Sequence, residues 1–185
     1  ILGRNPQKGL IPWTDDFLEW YISAGNEEIS LPALWTDCGE KTEQIRRNYR
    51  KALDSKLEHA YYRQISEWCE KHGIALTGHP EKSDEIGLLK YFHIPGQDIV
   101  WRWVAPEDNK GIEGEHSTMA KCSSDSARHR GRRRNSNECF GCCGPHGIHW
   151  AFSMDDMKWY LDWMFVRGVN PLYPHAFFYS VEGEK

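Results

Sequence analysis

The sequence lacks a long hydrophobic run. No uninterrupted apolar stretch approaches the about 20 residues that a membrane-spanning helix requires. The chain also opens on Ile1-Leu2-Gly3-Arg4, with neither an initiator methionine nor a basic and apolar leader. We therefore expect no membrane partner, a cytoplasmic location, and an interior segment of a longer chain.

An excess of positive charge is also lacking. Lysine and arginine number 23 against 27 aspartate and glutamate residues, so the formal net charge is -4. This balance excludes a global attraction to phosphate backbones. The arginine-rich run "RHRGRRR", residues 128–134, spans a predicted helix end, where cations complement the helix C-terminus. We therefore expect no nucleic-acid partner.

Nucleotide-binding glycine patterns are missing too, since no G-x-G-x-x-G or P-loop motif follows a predicted strand. The six cysteines are unevenly spaced, which favours reduced thiols over a disulfide scaffold. Cys139, Cys142 and Cys143, with His146 and His149, are possible metal ligands. Structural zinc usually joins two ligand pairs across a longer loop, so this spacing favours a packed loop without metal.

The sequence does contain an alternation of helix and strand patterns. Apolar positions at steps of three and four predict one long helix that ends before Gly73. A serine and an aspartate three residues apart predict a helix N-terminus with a capping-box pattern at Ser153 and Asp156. The predicted order is helix 12–21 with Thr14 as its cap, helix 40–72, strand 74–80, helix 83–92, strand 98–103, helix 117–129, strand 132–141, helix 154–167 and strand 169–180.

This order predicts an α/β fold with parallel strands, because the connections are long enough for crossovers. A (β/α) barrel and a doubly wound sheet share this pattern, and the missing glycine fingerprint favours the barrel. Four units make about half of a (β/α)8 barrel of TIM type, which typically needs about 250 residues. We expect the remaining strands to come from a longer chain or from a homo-oligomer partner.

Polar and aromatic residues lie at the C-terminal ends of the predicted strands, where the active face of a barrel forms. Glu138 would point into the barrel mouth, and glycoside hydrolysis needs a carboxylic acid that protonates the leaving oxygen. The competing interpretation is a structural glutamate paired with Arg102 or Arg134. The strand-end residues are Thr77, His79, Trp101, Arg102, Trp103, Asn137, Glu138, His175 and Tyr179.

Three stretches carry a resemblance to a known family. "RNSNECFG" resembles the fourth-strand end of clan A glycoside hydrolases, where an Asn-Glu pair supplies the general acid/base. "ISEWCEKHGIALTGHP", "HSTMAKCSSDSARHRGRRRNSNECFG" and "MKWYLDWMFVRGVNPLYPHAFFYS" more closely resemble α-L-rhamnosidase-like hydrolases of glycoside hydrolase family 106 and their relatives. The resemblance covers the chain from about Pro12 onward, although the "CFGCCG" loop departs from it.

The resemblance implies a (β/α)8 barrel and a carbohydrate substrate. It implies that Glu138 is the proton-donating carboxylate and that His79 and His175 belong to the sugar site. It also suggests a calcium ion near the sugar, although no ligand run in this sequence demands one.

We therefore expect a glycosidase that acts on α-L-rhamnosides or related glycosides, with Glu138 as general acid and no required cofactor. Trp103 is expected either to stack on a pyranose or to fill the core. The second carboxylate is not identified by the sequence, with Asp37, Asp98 and Glu182 as candidates. The alternative is a non-catalytic carbohydrate-binding or scaffold fragment of a barrel. The expected substrate-binding residues are His79, Trp103, Asn137, His175 and Tyr179.

Overall fold

The computed structural model describes residues 10–82, 84–100, 104, 110–114, 116–141, 144, 148 and 151–175. The chain divides into two compact units, with the boundary between Gln64 and Ile65. Among the described residues, none of the helices combines the length and the apolar character needed to cross a bilayer.

The first unit is helical. It contains α1 (Phe17–Ser23), a 3-10 helix (Glu28–Leu34) and α2 (Thr42–Leu57), followed by a π-helical segment (Glu58–Arg63). Its core is aromatic, and the rings of Phe17 and Tyr49 meet edge to face with centroids 5.6 Å apart. The Tyr49 hydroxyl donates a hydrogen bond to the carbonyl of Pro12, and burial raises the pKa of Tyr49 to about 12.

The first predicted helix begins later than the sequence suggested. Thr14 was expected to cap it, but the Thr14 hydroxyl donates to the side chain of Asp16, and the helix starts at Phe17. The long helix was predicted well in extent, since α2, the π-helical segment and α3 (Gln64–Lys71) follow one another directly. Gly73 ends this helical stretch with φ +66°, a conformation that glycine adopts easily.

The second unit contains a curled four-stranded parallel sheet that forms half a barrel. Its four strands lie in chain order, each hydrogen-bonded to the next. The α/β class and the parallel strands were therefore predicted correctly. The elements are β1 (Thr77–Gly78), a 3-10 helix (Leu88–Tyr91), β2 (Ile94–Val100), α4 (Lys121–His129), β3 (Ser136–Gly141), α5 (Met154–Val166) and β4 (Leu172–Pro174).

Strand β2 begins four residues before its predicted start at Asp98. Pro95 and Gly96 argue against a strand when they are judged by propensity alone. In the sheet, however, Gly96 permits close approach, because a Cβ at this position would lie 2.7 Å from the Gly78 carbonyl oxygen and from Ser136 Oγ. The predicted strand residues 101–103 lie outside the described part of the chain.

One face of the sheet is covered by α4 and α5. The buried cluster on this side includes Ile99, Cys139, Tyr160 and Met164, and the Tyr160 hydroxyl donates to the Ile99 carbonyl. The capping box predicted at the start of α5 is present, since the side chains and backbone N–H groups of Ser153 and Asp156 bond reciprocally. Burial of this apolar cluster is the main stabilising contribution on the covered face.

The opposite face, which we call the open face, carries polar and small residues. Thr77 Oγ1 and Ser136 Oγ lie 2.9 Å apart, next to Gly96. Because side chains alternate along a strand, Asp98 and Glu138 follow on this same face two positions later. Asp98 and Glu138 are register partners in β2 and β3. The candidate chemistry of the unit therefore lies on the side of the sheet away from its apolar core.

A bulge in β3 adjusts the open face just beyond Glu138. Asp98 pairs with Glu138, but Val100 pairs with Gly141, so β3 contains one residue more than β2 over this interval. Phe140 takes up the irregularity with φ +67° and packs its ring against Phe152 and Tyr160, at centroid distances of 5.5 and 5.7 Å. The bulge thus directs the Phe140 side chain towards the core and places Gly141 near the end of the open face.

Candidate functional site

Glu138 lies at the centre of a cluster of titratable side chains on the open face. Its register partners are Asp98 on β2 and Tyr173 on β4. The Glu138 side chain is 36% exposed, so it is reachable from solvent while both of its oxygens face neighbouring residues.

His175 contacts Glu138 from the end of β4. The backbone N–H of His175 donates to the Cys139 carbonyl at 2.7 Å, which holds this residue against β3. Its ring nitrogen Nδ1 lies 2.5 Å from Glu138 Oε1. A carboxylate accepts hydrogen bonds, so Nδ1 carries the proton in this contact. Gly141 makes room for the ring, since a Cβ there would lie 3.3 Å from the imidazole.

His79 approaches the other Glu138 oxygen from the end of β1. Its Nδ1 lies 2.8 Å from the Pro80 carbonyl oxygen. Because a carbonyl only accepts, Nδ1 is the donor, and Nε2 is the unprotonated nitrogen of the neutral ring. That Nε2 lies 3.9 Å from Glu138 Oε2, which is too far for a direct hydrogen bond.

Asp98 completes the cluster. One ligand atom from each of His79, Asp98 and Glu138 lies within 4.8 Å of the other two. Burial raises the pKa of Asp98, the Glu138 carboxylate raises it further, and the two histidines oppose this effect. The sequence named Asp98 only as one of three possible second carboxylates. Its position in register with Glu138 depends on where β2 begins, which the sequence pattern did not reveal.

The structure brings three of the predicted site residues together, namely His79, Glu138 and His175; their roles toward a sugar stay predictions. Within the described residues, the side chains that contact the Glu138 carboxyl are these histidines, and Arg134 is not among them. The pairing of Glu138 with Arg134, considered as a competing interpretation, is therefore not observed. Trp103, Tyr179, Arg102 and Glu182 lie outside the described part of the chain.

Asn137 is not part of this cluster, which corrects the prediction that it holds a sugar hydroxyl beside Glu138. Its side chain is fully buried on the covered face, where Nδ2 donates to Ser123 Oγ at 3.1 Å. Its register partner Gln97 accepts a hydrogen bond from the Ser123 backbone N–H at 2.9 Å. Adjacent residues of a strand point to opposite faces, so Asn137 and Glu138 do not serve the same site.

Asp37, the loop candidate for a second carboxylate, has a structural role. Its carboxylate accepts hydrogen bonds from the Gly39 N–H at 2.9 Å and the Thr42 hydroxyl at 3.0 Å, at the start of α2. These hydrogen bonds, with that of Gly39 the stronger influence, lower the pKa of Asp37. An ionised, hydrogen-bonded carboxylate at a helix start is a stabilising feature of local structure.

Cys139 is a buried thiol on the covered face rather than a ligand of this cluster. Burial and the nearby Glu138 raise the pKa of Cys139 to about 12, so the thiol is neutral. The other residues of the predicted cysteine-histidine loop, Cys142, Cys143, His146 and His149, lie outside the described residues.

The arginine-rich run is used partly for internal contacts. The Arg132 guanidinium donates to the backbone carbonyls of Leu89, Lys90 and Phe92. Arg130 donates to the side chain of Ser126 on α4 at 2.9 Å. These arginines bind backbone and side-chain oxygens of their own unit.

Calcium, which the resemblance suggested, does not fit the cluster. Calcium takes six to eight oxygen ligands at about 2.3–2.6 Å. The cluster offers two carboxylates and two imidazoles, and imidazole nitrogen is not a preferred calcium ligand.

Comparisons with protein-family models, with curated proteins and with solved structures find no match to this chain. The resemblance to α-L-rhamnosidase-like hydrolases therefore rests on sequence motifs alone. Chemically, the site combines a solvent-accessible carboxyl held by one imidazole, a second carboxyl with a raised pKa, and an imidazole with a free lone pair. Such a set suits proton transfer and the binding of hydroxyl groups.

Proposed function

We propose that the chain belongs to a glycosidase with a (β/α)8 barrel of TIM type that acts on α-L-rhamnosides or related glycosides, and that Glu138 is its general acid. The proposal is carried by one observation: imidazoles at the ends of β1 and β4 face the two oxygens of the Glu138 carboxyl on the open side of a parallel sheet. In barrel enzymes, side chains at the C-terminal ends of the strands converge in this way around the substrate.

In the proposed reaction, the Glu138 carboxyl donates its proton to the glycosidic oxygen as the bond between that oxygen and the anomeric carbon breaks. The leaving alcohol takes both the proton and the bonding electron pair. His175 donates to Oε1 and so orients the carboxyl, which leaves Oε2 free to carry the transferred proton. His79 Nε2 and the Asp98 carboxylate accept hydrogen bonds from sugar hydroxyls beside this oxygen.

Asp98 is assigned to binding rather than to water activation. In an inverting glycosidase the base stands across the sugar, about 6.5–9.5 Å from the acid, and a retaining nucleophile also approaches from the opposite face. Asp98 and Glu138 are neighbours on adjacent strands, with oxygens within 4.8 Å, and so reach the sugar from one side. The opposing carboxylate would come from the other strands of the barrel, supplied by further sequence or by a second copy.

A second candidate function is sugar binding without hydrolysis. It is favoured by the absence, within the described residues, of a carboxylate that faces Glu138 from across the open face. In that case the same cluster holds sugar hydroxyls and releases the sugar unchanged. The two functions share the site and differ in turnover.

The test is hydrolysis of an aryl α-L-rhamnoside by the protein and by Glu138→Gln. The variant removes the transferable proton but keeps the shape, and we expect a rate loss of at least about 100-fold. Glu113→Gln, at an exposed position, is the matched control and should retain full activity. Undiminished turnover by Glu138→Gln would refute the acid assignment.

Tryptophan fluorescence titrated with L-rhamnose separates the two candidate functions. A saturable change that Asp98→Asn weakens, without hydrolysis of the aryl glycoside, supports sugar binding alone. Hydrolysis that Glu138→Gln abolishes supports the glycosidase. If the protein shows no fluorescence change and no hydrolysis, both candidate functions are contradicted.

A further inference from the structure

With both carboxylates ionised and the His79 ring neutral, three acceptor groups converge on the open face without a donor among them. They are the His79 imidazole and the carboxylates of Asp98 and Glu138. One ligand atom from each of these residues lies within 4.8 Å of the other two. His79 Nε2 lies 3.9 Å from Glu138 Oε2. The only N–H of the neutral His79 ring is already engaged by the Pro80 carbonyl. Lone pairs that face one another at this separation repel unless a cation or a hydrogen-bond donor lies between them.

The spacing of these atoms suits a metal ion. Zinc binds imidazole nitrogen and carboxylate oxygen at about 2.0–2.2 Å, which places two tetrahedral ligands about 3.4 Å apart. The separation of His79 Nε2 and Glu138 Oε2 is 3.9 Å. A small rotation of either partly exposed side chain therefore brings both atoms within bonding distance of one ion.

The surroundings of the three residues are those that metal ligands usually have. A ligating histidine normally donates its other ring N–H to a carbonyl or carboxylate, which fixes the ring and the tautomer. His79 makes this contact with Pro80 at 2.8 Å. A ligating carboxylate is in turn held by a hydrogen bond, and His175 lies 2.5 Å from the Glu138 oxygen that faces away from His79.

We propose that His79, Asp98 and Glu138 form a binding site for one divalent transition-metal cation, with zinc as the probe. One imidazole and two carboxylates favour zinc, cobalt, manganese or iron over calcium, which prefers an all-oxygen shell. Three protein ligands leave a fourth position for water or for a sugar hydroxyl. His175 is a positioning residue that orients Glu138.

This inference rests on the geometry and does not depend on hydrolase activity. Metal binding and proton donation use the same Glu138 carboxyl, so Glu138 cannot do both at once. A bound cation keeps Glu138 ionised and prevents it from donating a proton. Where both proposals hold, zinc inhibits hydrolysis, and a chelator restores it.

The experiment measures binding of Co²⁺ and Zn²⁺ to the protein after dialysis against a chelator, without any sugar. We expect a Co²⁺ absorption band that saturates at one ion per chain and is displaced by Zn²⁺. His79→Ala, Asp98→Asn and Glu138→Gln should each weaken binding at least about 100-fold, and His175→Ala about 10-fold. Circular dichroism checks that each variant is folded.

Two controls locate the ion. His72→Ala removes a histidine that stacks on Trp68 outside the cluster, and it should leave binding unchanged. The double variant Cys142→Ser with Cys143→Ser should also leave it unchanged. Binding that is lost in the cysteine variant but kept in His79→Ala and Glu138→Gln would overturn the proposal.

The remaining outcomes separate this inference from the proposed function. Binding of Ca²⁺ in preference to Zn²⁺, or no Co²⁺ band at all, would overturn the metal site even if Glu138→Gln abolishes hydrolysis. A saturable Co²⁺ band that depends on all three ligands would support the site even if no glycoside is hydrolysed.

Discussion

The two faces of the sheet differ in role: the covered face holds the apolar core of the second unit, and the open face holds its titratable cluster. Asn137 and Glu138 are neighbours in β3, yet Asn137 is fully buried against α4 while the Glu138 side chain is 36% exposed among titratable groups. Ile99 and Asp98 show the same contrast in β2. A polar cluster that would be costly in the core is tolerated because solvent reaches the open face.

The largest loss of stability should come from truncating a buried side chain on the covered face. Ile99→Ala removes a fully buried side chain and should lower the free energy of unfolding by about 2–4 kcal/mol. Asp98→Ala, one position earlier on the open face, should change it by less than about 1 kcal/mol. Urea denaturation in metal-free buffer measures both, and equal losses would contradict the division between the faces.

The next effect concerns the close approach of Gly96 on β2 to Gly78 on β1. Gly96→Ala would place a methyl group 2.7 Å from the Gly78 carbonyl oxygen, and it should cost about 1–3 kcal/mol because backbone must move. Gly87→Ala is the matched control, since Gly87 has ordinary helical angles and open space around it. If Gly96→Ala denatures at the same urea concentration as the wild type and Gly87→Ala, the close approach of Gly96 to Gly78 is contradicted.

A smaller effect follows from the buried thiol of the covered face. Burial raises the pKa of Cys139 to about 12 from an ordinary 9.0, so between these values the folded state holds a proton that the unfolded state releases. Stability should therefore fall by about 1 kcal/mol per pH unit as pH rises through this window. Urea denaturation at pH 8 and pH 10.5 measures the loss.

Cys139→Ala is the control, and it should show a shallower loss over the same pH interval. Part of the pH dependence of stability should remain in this variant, because burial also raises the pKa of Cys122 to about 11. Alkylation by iodoacetamide at pH 8 gives an independent check: exposed Cys38 should react in the folded protein, and Cys139 only after unfolding. Rapid alkylation of Cys139 in the folded state would contradict its burial.

The smallest effect on stability should come from Gly141→Ala. The added methyl group would lie 3.3 Å from the His175 ring and displace it slightly, at a cost below about 1 kcal/mol. The contact between His175 and Glu138 should weaken, and the histidine NMR signal that His175→Ala removes should shift. An unmoved signal would show that the ring does not rest against Gly141.

Much of the local structure followed from the sequence. The capping box at Ser153, the end of the long helix at Gly73 and the parallel strand pattern all depend on short-range physics. The approach of His79, Glu138 and His175 to one another also followed, because strand ends in a parallel sheet meet at one edge. Their role in binding a sugar stays a prediction.

The predictions that were wrong concern positions whose structure depends on contacts with residues distant in the sequence. Strand β2 starts at Ile94, where it pairs with Thr77 of β1. Gly96 fits closely against Gly78 and Ser136, and local propensity does not register such distant neighbours. Asn137 was placed with Glu138 because both are polar and adjacent, but Ser123 on α4 provides a buried partner for it. A polar residue is compatible with either face, so a pattern of polarity does not assign it.

By itself, the sequence determined the long helices, the order of the parallel strands and the strand ends that carry titratable residues, because helix caps, apolar periodicity and glycine stops act within a few neighbouring residues. It did not predict the 3-10 helix at Glu28–Leu34, and it predicted a helix over 83–92 where a 3-10 helix spans Leu88–Tyr91. Only the tertiary structure decided which face each strand residue joins and that Asp98 lies beside Glu138. Those outcomes depend on strand register and on the bulge at Phe140, and a shift of one residue in register exchanges the two faces of a strand.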